Sequence, residues 1–243
     1  MNSTKRSGGN GMEEILRAGL EELGVEADGT AIERLRQYHS LLEETNKVMN
    51  LTAIRGEEET ARLHFLDCAA LLRYLPAGEI RVCDVGAGAG FPGLVLKILR
   101  PELRLTMLDS QQKRVAFQRR TADALGLEDV ECIAGRAEEE IALRERFDAV
   151  TSRAVARLDM LCELCLPLVK PGGTFAAMKG PDAAEELREA ERAVRLLGGG
   201  EARIETYAIP GTDIRHSAVL IPKVRPTPAR YPRRFAVIKK TPL

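Results

Sequence analysis

Three glycines at alternate positions follow a short apolar stretch and could form a cradle for a ligand. Residues 80–85 are mostly apolar and include β-branched side chains, which predicts a short buried strand. Gly86, Gly88 and Gly90 come next, and Pro92 stands where a helix would begin, because its missing N–H is not needed there. Glycines let a backbone turn tightly and let a ligand touch main-chain atoms. The stretch therefore predicts a strand, a turn and a helix that together bind a phosphate or a nucleoside.

The spacing of the glycines decides which ligand the turn favours. In the dinucleotide-binding fingerprint G-x-G-x-x-G, the third glycine would fall one residue after Gly90, where Phe91 stands. This departure disfavours an NAD-dependent oxidoreductase. Asp84, followed by G-x-G-x-G, resembles instead the first motif of methyltransferases that use S-adenosyl-L-methionine (SAM). A tight turn without a ligand is the structural alternative.

Asp109 follows a second predicted strand, residues 103–108. It lies 23 residues after Gly86, close to the spacing of about 20 residues at which an acidic side chain binds ribose hydroxyls. A carboxylate can accept hydrogen bonds from both hydroxyls of a vicinal diol. Asp109 is therefore the candidate ribose ligand, and the alternative is that it caps the helix beginning near Gln111.

Two further candidates follow later predicted strands. Residues 135–138 come after a short strand, 130–133, where an adenine edge could meet backbone N–H groups and a side chain. Arg153 falls just past a fourth strand, 147–152, at the mouth of the predicted sheet. An arginine there suits a carboxylate or an RNA phosphate. A structural salt bridge is the alternative for Arg153.

His64 and Asp67 are three residues apart on a predicted helix, 57–74, and would share a face of it. They could meet a substrate or each other. Residue chemistry alone favours a third interpretation, in which a carboxylate satisfies the histidine within the packing of the helices.

The C-terminal segment, residues 223–243, contains four prolines and seven basic residues, with Tyr231 and Phe235 among the cations. Such a mixture can neutralise phosphates and stack on bases. The net charge of the chain is zero, but residues 13–59 hold 12 acidic and 5 basic side chains, and no acidic residue follows Ile214. The asymmetry indicates an anionic partner for the tail. The alternatives are that the charge serves solubility, or that the tail wraps its own domain.

Length and composition indicate one domain with extensions. Residues 1–11 are polar and glycine-rich, which predicts a disordered N-terminus and excludes a signal peptide. We expect an N-terminal helical cap over 12–75, the main domain over 76–223 and the basic tail over 224–243. No apolar run reaches membrane-spanning length, so we expect a cytoplasmic protein with no membrane partner. Nothing requires a dimer, and we expect a monomer.

The five cysteines are scattered through apolar segments, which argues against a disulfide framework. Cys162 and Cys165 form the only close pair, with no histidine nearby. We therefore interpret both as packing residues on a helix and expect no metal site.

The periodicities predict an alternating α/β chain. Helices are expected over 12–23, from Thr30 to near Asn46, and over 57–74; later helices are expected over 138–143, 158–169 and 182–197. Residues 170–173 should form a turn, and Pro210-Gly-Thr-Asp should join two last strands, 202–209 and 217–221, as a hairpin. Five β-α units closed by an antiparallel hairpin fit a Rossmann-like class I methyltransferase sheet of seven strands, mostly parallel with an antiparallel last strand.

Several motifs together resemble the RsmG (GidB) family over nearly all of the chain from about residue 13. They are Asn50-Leu-Thr52, His64-Phe-Leu-Asp67, Asp84-Val-Gly-Ala-Gly-Ala-Gly-Phe-Pro-Gly93, Leu108-Asp-Ser110, Ser152-Arg-Ala-Val155 and Thr227-Pro-Ala-Arg-Tyr-Pro-Arg233. The resemblance implies methylation of a guanine N7 in 16S ribosomal RNA of the small subunit, with SAM as the methyl donor.

The resemblance also implies roles for particular residues. Those implied to contact the cofactor are Gly86, Gly88, Phe91, Asp109 at the ribose, Ala137 and Glu138 at the adenosine, and Arg153. The candidate substrate contacts are His64, Arg153, Arg230, Arg233 and Arg234. Two departures stand out: Cys68 replaces the serine usual after the His-x-x-Asp segment, and residues 234–240 are more apolar than the family's ending.

Methylation at N7 would also explain why no catalytic proton acceptor stands out in the sequence. Guanine N7 carries an in-plane lone pair and no proton, so neither a general base nor a covalent cysteine is required. Alignment and a site that tolerates moving charge would suffice. The alternatives are a SAM-dependent enzyme with another acceptor, and a non-catalytic RNA-binding assembly factor.

Overall fold

The computed structural model of the protein describes residues 10–243. The predicted disordered N-terminus, 1–11, lies outside the described residues over 1–9. Its last two residues, Asn10 and Gly11, belong to the first helix, α1 (Asn10–Glu22).

The N-terminal helices pack their apolar stripes on one another and on the sheet. The second helix, α2 (Gly29–Met49), begins one residue before the predicted start at Thr30, because Asp28 caps it: the Asp28 carboxylate accepts a hydrogen bond from the Ala31 N–H at 2.7 Å. It also continues three residues past Asn46, which is buried and donates its side-chain amide to the Thr52 carbonyl. The apolar pattern ends where this polar contact replaces it.

The predicted helix over 57–74 is one helical segment with a change of pitch. It consists of α3 (Glu57–Thr60), a π-helical turn (Ala61–Leu66), a short α4 (Asp67–Ala69) and a 3₁₀ turn (Ala70–Tyr74). The π-helical turn carries His64, and such turns are common at functional sites.

The sheet has seven strands in the order β3-β2-β1-β4-β5-β7-β6, and β7 alone runs opposite to the other six. This confirms the predicted fold class. The strands are β1 (Arg81–Val85), β2 (Arg104–Asp109), β3 (Val130–Ala134), β4 (Phe147–Arg153), β5 (Val169–Lys179), β6 (Arg203–Ala208) and β7 (Arg215–Pro222).

Alternate residues of each strand point to opposite sides of the sheet. Both sides are apolar here, and helices cover both of them. Val82 joins the core shared with the N-terminal helices, and Cys83 joins the core on the other face. The remaining helices are α5 (Gly93–Leu99), α6 (Gln112–Ala124), α7 (Leu158–Cys165), α8 (Ala183–Leu196) and α9 (Phe235–Lys240).

Two later helical segments are shorter than the sequence predicts. The predicted helix over 138–143 is only a 3₁₀ turn (Ile141–Leu143) with no buried residue, so no apolar face holds a longer helix. The predicted helix over 158–169 ends as a 3₁₀ turn (Leu166–Leu168), and the expected turn over 170–173 lies inside β5. Gly173 permits this because a Cβ there would stand 2.6 Å from the Asp148 carbonyl oxygen.

All five cysteines are buried and unpaired, and Cys162 and Cys165 pack in the core beneath α7 as interpreted from the sequence. Within residues 10–243, no cluster of histidine, cysteine or acidic side chains is arranged to hold a metal ion. None of the helices in the same range is long and apolar enough to cross a membrane.

Candidate functional site

The carboxyl ends of β1, β2, β3 and β4 meet at one edge of the sheet and surround an open cleft of about 250 Å³. Open α/β sheets bind their ligands at this edge. Another cavity, of about 340 Å³, lies at the opposite edge, far from the glycine turn. The residues lining the cleft are Val85, Gly86, Leu108, Asp109, Ser110, Arg114, Gly135, Arg136, Ala137, Glu138, Ala154, Val155, Leu164 and Phe235.

The glycine turn is held against the end of β2. Gly86 has a φ of +73°, donates its N–H to the Leu108 carbonyl at 2.7 Å and leaves no room for a side chain, because a Cβ would stand 2.4 Å from Val155. Gly88 has a φ of +57° and open space around it. Its N–H donates to Asp109 and its carbonyl accepts from Gln118, both at 2.9 Å. The turn is therefore fixed by backbone contacts and presents main-chain atoms to the cleft.

The Asp109 carboxylate bonds to the backbone before α6 and also lines the cleft, so both the capping and the ribose-binding interpretations stay open. One oxygen accepts from the Gly88 N–H, and the other accepts from the Gln111 N–H at 2.8 Å, just before α6. The side chain is only 4% exposed, yet it lines the cleft. Each carboxylate oxygen can accept a second hydrogen bond, so the capping contacts leave capacity for a ribose hydroxyl.

Ala137 and Glu138 form the wall of the cleft after β3. Ala137 is buried, and Glu138 Oε1 is buried without a hydrogen-bond partner among the described residues. Burial raises the pKa of the Glu138 carboxyl above its usual value. A buried acceptor without a partner is costly unless a ligand satisfies it. The donor groups of an adenosine fit this wall.

Phe91 does not line this cleft. Its ring is 7% exposed and lies among aromatic rings of the N-terminal helices, stacked on His64 at 4.2 Å and on Tyr38 at 5.3 Å between centroids. The Tyr38 hydroxyl in turn bonds to the Ala89 carbonyl. The residue that breaks the dinucleotide fingerprint thus fastens the glycine turn to the N-terminal helices.

Arg153 also turns away from the cleft, toward the N-terminal helices. Its guanidinium donates to the Leu63 carbonyl at 2.9 Å and to Cys68 Sγ at 3.1 Å, and one nitrogen lies 3.5 Å from a carboxylate oxygen of Asp67. It also sits 5.8 Å from the centroid of the Phe91 ring. The structural salt bridge that the sequence left open for Arg153 is therefore present.

His64 and Asp67 do not bond to each other. His64 Nε2 lies 2.8 Å from Thr52 Oγ1. Burial, followed by the positive charge of Arg153, lowers the pKa of His64 to about 3. The histidine is thus neutral at physiological pH. Asp67 accepts from the Tyr207 hydroxyl and contacts His216 Nδ1, both at 2.9 Å.

We call this set of residues the cap cluster: Thr52, His64, Asp67, Cys68, Phe91, Arg153, Tyr207 and His216. The sequence interpretation missed Tyr207 and His216, which come from the hairpin of β6 and β7. Neither lies in a chemical motif, and only the strand order brings this hairpin beside β5 and over the helical segment of Asp67.

A second cleft, of about 490 Å³, opens beside the cap cluster. It shares Ala154 and Val155 with the cleft at the glycine turn. Ala154 adopts a φ of +54°, a strained value for a residue with a side chain, and Val155 is 41% exposed. Other residues lining this cleft include Asp67, Arg153, Met178, Lys179, Glu186 and His216.

The tail packs on its own domain, and its cations differ in exposure. Lys223 is fully buried and donates to the Val169 carbonyl at 3.0 Å; burial lowers its pKa to about 8. Arg233 pairs with the buried Glu163 at 2.5 Å. Arg230 and Arg234 are exposed. Of the three tail arginines predicted to contact RNA, these two are available to a partner.

Solved structures similar to this one share its fold. TrmN from Thermus thermophilus matches with a TM-score of 0.54 and 22% identity, over 74% of this chain and 53% of that chain. A SAM-dependent O-methyltransferase from Thermotoga maritima matches with a TM-score of 0.52 and 15% identity, over 76% and 72% of the two chains. Together with the strand order and the glycine turn, these similarities define a class I methyltransferase fold.

The family follows from the sequence comparisons. The model of the GidB family, described as rRNA small subunit methyltransferase G, matches residues 31–215. The chain therefore belongs to the GidB family and is a methyltransferase. The resemblance found in its motifs is confirmed.

Curated relatives cover nearly the whole chain. A protein from Clostridium botulinum named ribosomal RNA small subunit methyltransferase G is 41% identical over 94% of this chain and 98% of its own length. Proteins of the same name from Alkaliphilus metalliredigens and Geobacillus thermodenitrificans are 44% and 43% identical, over 94% and 93% of this chain and 98% and 97% of their own lengths.

Proposed function

We propose that this enzyme transfers a methyl group from SAM to N7 of a guanine in 16S ribosomal RNA of the small subunit. The observation that carries the proposal is the pair of clefts that meet at Ala154 and Val155 in a chain of the GidB family. One cleft has the groups to hold an adenosine, and the other, at the end of β4, has room for a purine. Both are lined by one chain, so the proposal needs no second copy, and it places the enzyme in the cytoplasm with the ribosomal subunits.

The cofactor would lie along the glycine turn. Gly86 would present its backbone, and Gly88, which does not line the cleft, would hold the Asp109 carboxylate in place. Asp109 would accept from the ribose hydroxyls, and Glu138 would accept from the adenosine beside Ala137. When bound, SAM supplies an electrophilic methyl group on a sulfonium sulfur. The chain's residues hold this group still and exclude water, which favours direct displacement once a nucleophile is aligned.

The acceptor chemistry asks little of acid–base residues. Through its in-plane lone pair, guanine N7 would accept the methyl group that SAM supplies, and the sulfur would keep the electron pair of the bond that it gives up. No proton leaves N7, so no general base is needed. Two of the titratable groups at the second cleft have partners, because Lys179 is bonded to Glu186 at 2.8 Å and the Asp67 carboxylate contacts both Arg153 and His216. His216 also lines this cleft, and its Nδ1 lies 2.9 Å from Asp67. We infer that Arg153 and His64 shape this cleft rather than transfer protons.

RNA would lie across the exposed cations of the tail. Arg230 and Arg234 are free of carboxylate partners among the described residues, and Lys239 and Lys240 are exposed on α9. Contacts of this kind neutralise phosphates and make affinity fall with salt concentration. Arg233, paired with Glu163, would position the tail rather than bind RNA.

The test is transfer of labelled methyl from SAM to small ribosomal subunits that lack the modification, with naked 16S RNA and bulk protein alongside. The expected result is label in the RNA that maps to one N7-methylguanosine. Asp109→Asn should lower labelling through a weaker affinity for SAM. Arg203→Gln, on an exposed edge strand, is the matched control and should leave labelling unchanged. Label in protein only, or at another atom of the RNA, would overturn the assignment of the acceptor.

A further inference from the structure

Phe235 is the one residue of the tail that lines the cleft at the glycine turn. It begins α9 and is partly buried, and its aromatic ring borders the same space as Asp109, Ala137 and Glu138. The sequence left two interpretations open for this segment, RNA stacking and packing on its own domain. The fold instead brings it to the carboxyl edge of the sheet.

The position of Phe235 is fixed by the segment on either side of it. Before it, Tyr231 is buried and its carbonyl accepts from Arg144 at 2.7 Å. Arg233 donates its N–H and its guanidinium to Glu163 of α7, which is fully buried. After it, Ile238 is fully buried in the core beside α7. Phe235 is therefore presented by a built structure and not by a loose end.

A cation from the opposite wall of the cleft lies over this ring. The guanidinium of Arg136 stands 5.5 Å from the Phe235 centroid, within the range of a cation–π contact. Arg136 directly precedes Ala137 and Glu138. The contact thus joins the tail to the segment after β3 at the place where the proposed function puts the adenosine.

We propose that Phe235 is a cofactor-binding residue: its ring forms the outer wall of the adenosine subsite, and Arg136 holds that wall in place. A purine has a large apolar face, which an aromatic ring covers well. Asp109 and Glu138 can meet the edge of a nucleoside, and the aliphatic side chains of the cleft include Val85, Leu108, Val155 and Leu164, so Phe235 is the one aromatic ring in its lining. The inference rests on the proposed SAM site and adds to it a residue from outside the methyltransferase sheet.

The chain contains no tryptophan, which allows a direct test. Phe235→Trp places a single indole at the subsite. Val237→Trp places one on the same helix at a position that is 43% exposed and does not line the cleft. We expect SAM, S-adenosylhomocysteine and methylthioadenosine to change the fluorescence of the first variant and not of the second, and methionine to change neither. Adenosyl ligands that bind by calorimetry without altering the fluorescence of Phe235→Trp, or that alter both variants equally, would overturn the inference.

Affinity gives an independent measurement. Phe235→Ala should raise the Kd and KM for SAM about tenfold, as loss of base stacking predicts, with little change in kcat. Phe235→Tyr keeps the ring and should bind as the wild type does, and so should Val237→Ala. If Phe235→Ala does not fold, Phe235→Leu keeps the apolar volume without the flat ring and should show the same loss. Wild-type affinity in the folded Ala or Leu variant would refute the role of Phe235, whereas failure of the wild type to bind SAM would refute the proposed function itself.

Discussion

Gly86 and Phe91 are five residues apart in one motif, yet they serve two regions with opposite properties. Gly86 opens onto the cleft at the carboxyl edge, where one buried oxygen of Glu138 has no hydrogen-bond partner within residues 10–243. Phe91 enters the cap cluster, where Arg153 reaches a carbonyl, a thiol and a carboxylate of the N-terminal helices. The first region presents polar groups to an open cleft, whereas the second binds its cation to three partners on the N-terminal helices, although His64 Nδ1 and Asp67 Oδ2 within it also have no hydrogen-bond partner among the described residues.

The cleft at Gly86 is therefore the candidate binding site, and the cap cluster stabilises the elements around it. A group that waits for a ligand costs stability in the free protein, and a closed set of contacts can offset that cost elsewhere. The cap cluster joins the π-helical turn, the end of β4 and the hairpin of β6 and β7. The cap cluster therefore fixes the end of β4. Ala154 and Val155 follow that end and line both clefts. Substitutions in the two regions should therefore differ in what they damage.

The largest effect should come from breaking the cap cluster at Arg153. Arg153→Met leaves Asp67 buried, at 1% exposure, without its cation. We expect the free energy of unfolding to fall by about 3 kcal/mol, the usual cost of removing one partner of a buried ion pair. The Kd for SAM should stay unchanged, because Arg153 does not line the cofactor cleft.

Denaturant unfolding and calorimetric titration with SAM would measure both quantities for Arg153→Met. Arg157→Met is the matched control, since Arg157 pairs with Glu189 on the surface and should leave stability unchanged. Unchanged stability of Arg153→Met would contradict its structural role, and a weaker affinity for SAM would place Arg153 with the cofactor.

A somewhat smaller effect, confined to function, should follow from Gly86→Ala. The new Cβ would meet Val155 at 2.4 Å in a backbone with positive φ, so the turn must shift. Displacement of a cofactor cradle by about 1 Å costs on the order of 100-fold in turnover. Gly88→Ala carries the same kind of backbone strain without the close contact. Its loss, measured as kcat/KM for methyl transfer, should be smaller; equal losses would show that Val155 has no part in the effect.

The acid stability of the cap cluster should depend on His64. Its folded pKa of about 3 lies below the usual value of 6.5, so between these pH values the unfolded chain binds more protons than the folded chain does. Above about pH 6.5, His64 is neutral in both states and its titration does not change the free energy of unfolding. On acidification to about pH 5, protonation of the unfolded chain lowers that free energy by about 2 kcal/mol. His64→Gln should remove this part of the slope. Unfolding free energies of both proteins at about pH 5 and about pH 8 give the comparison, and identical slopes would contradict it.

The sequence was sufficient for the features that depend on local pattern. Strand ends, the glycine turn and the antiparallel hairpin follow from apolar periodicity and turn residues, and the structure has them. The positions of Asp109 and of residues 135–138 at one cleft follow from the rule that ligands bind at the carboxyl ends of parallel strands.

The cap cluster and the place of the tail could not be predicted in the same way. Tyr207 and His216 meet Asp67 only because the hairpin lies next to β5, and no spacing in the sequence encodes that approach. Arg233 and Phe235 lie in the same basic segment, whose composition predicts a contact with RNA. The buried Glu163, far away in sequence, turns Arg233 inward, and together with the contact of Arg144 with the Tyr231 carbonyl and the burial of Ile238 it brings Phe235 to the cleft.

The smallest effect should come from Cys83 and Cys132, which lie in the hydrophobic cores outside both regions. Burial raises the pKa of Cys68 to about 12 and that of Cys132 to about 11, so both thiols stay protonated at neutral pH, whereas a nucleophile must be a thiolate. Cys83 is fully buried in β1, directly before Asp84. We expect Cys83→Ala and Cys132→Ala to keep full methyl transfer while losing about 1 kcal/mol of stability from the small cavities.

Labelled methyl transfer at a temperature where each cysteine variant is folded measures the first expectation, and thermal unfolding measures the second. A folded Cys83→Ala or Cys132→Ala protein without turnover would mean that a thiol takes part in the reaction. The acceptor would then be an atom that needs covalent activation, such as a pyrimidine carbon, and guanine N7 would be ruled out, because its lone pair needs no such help.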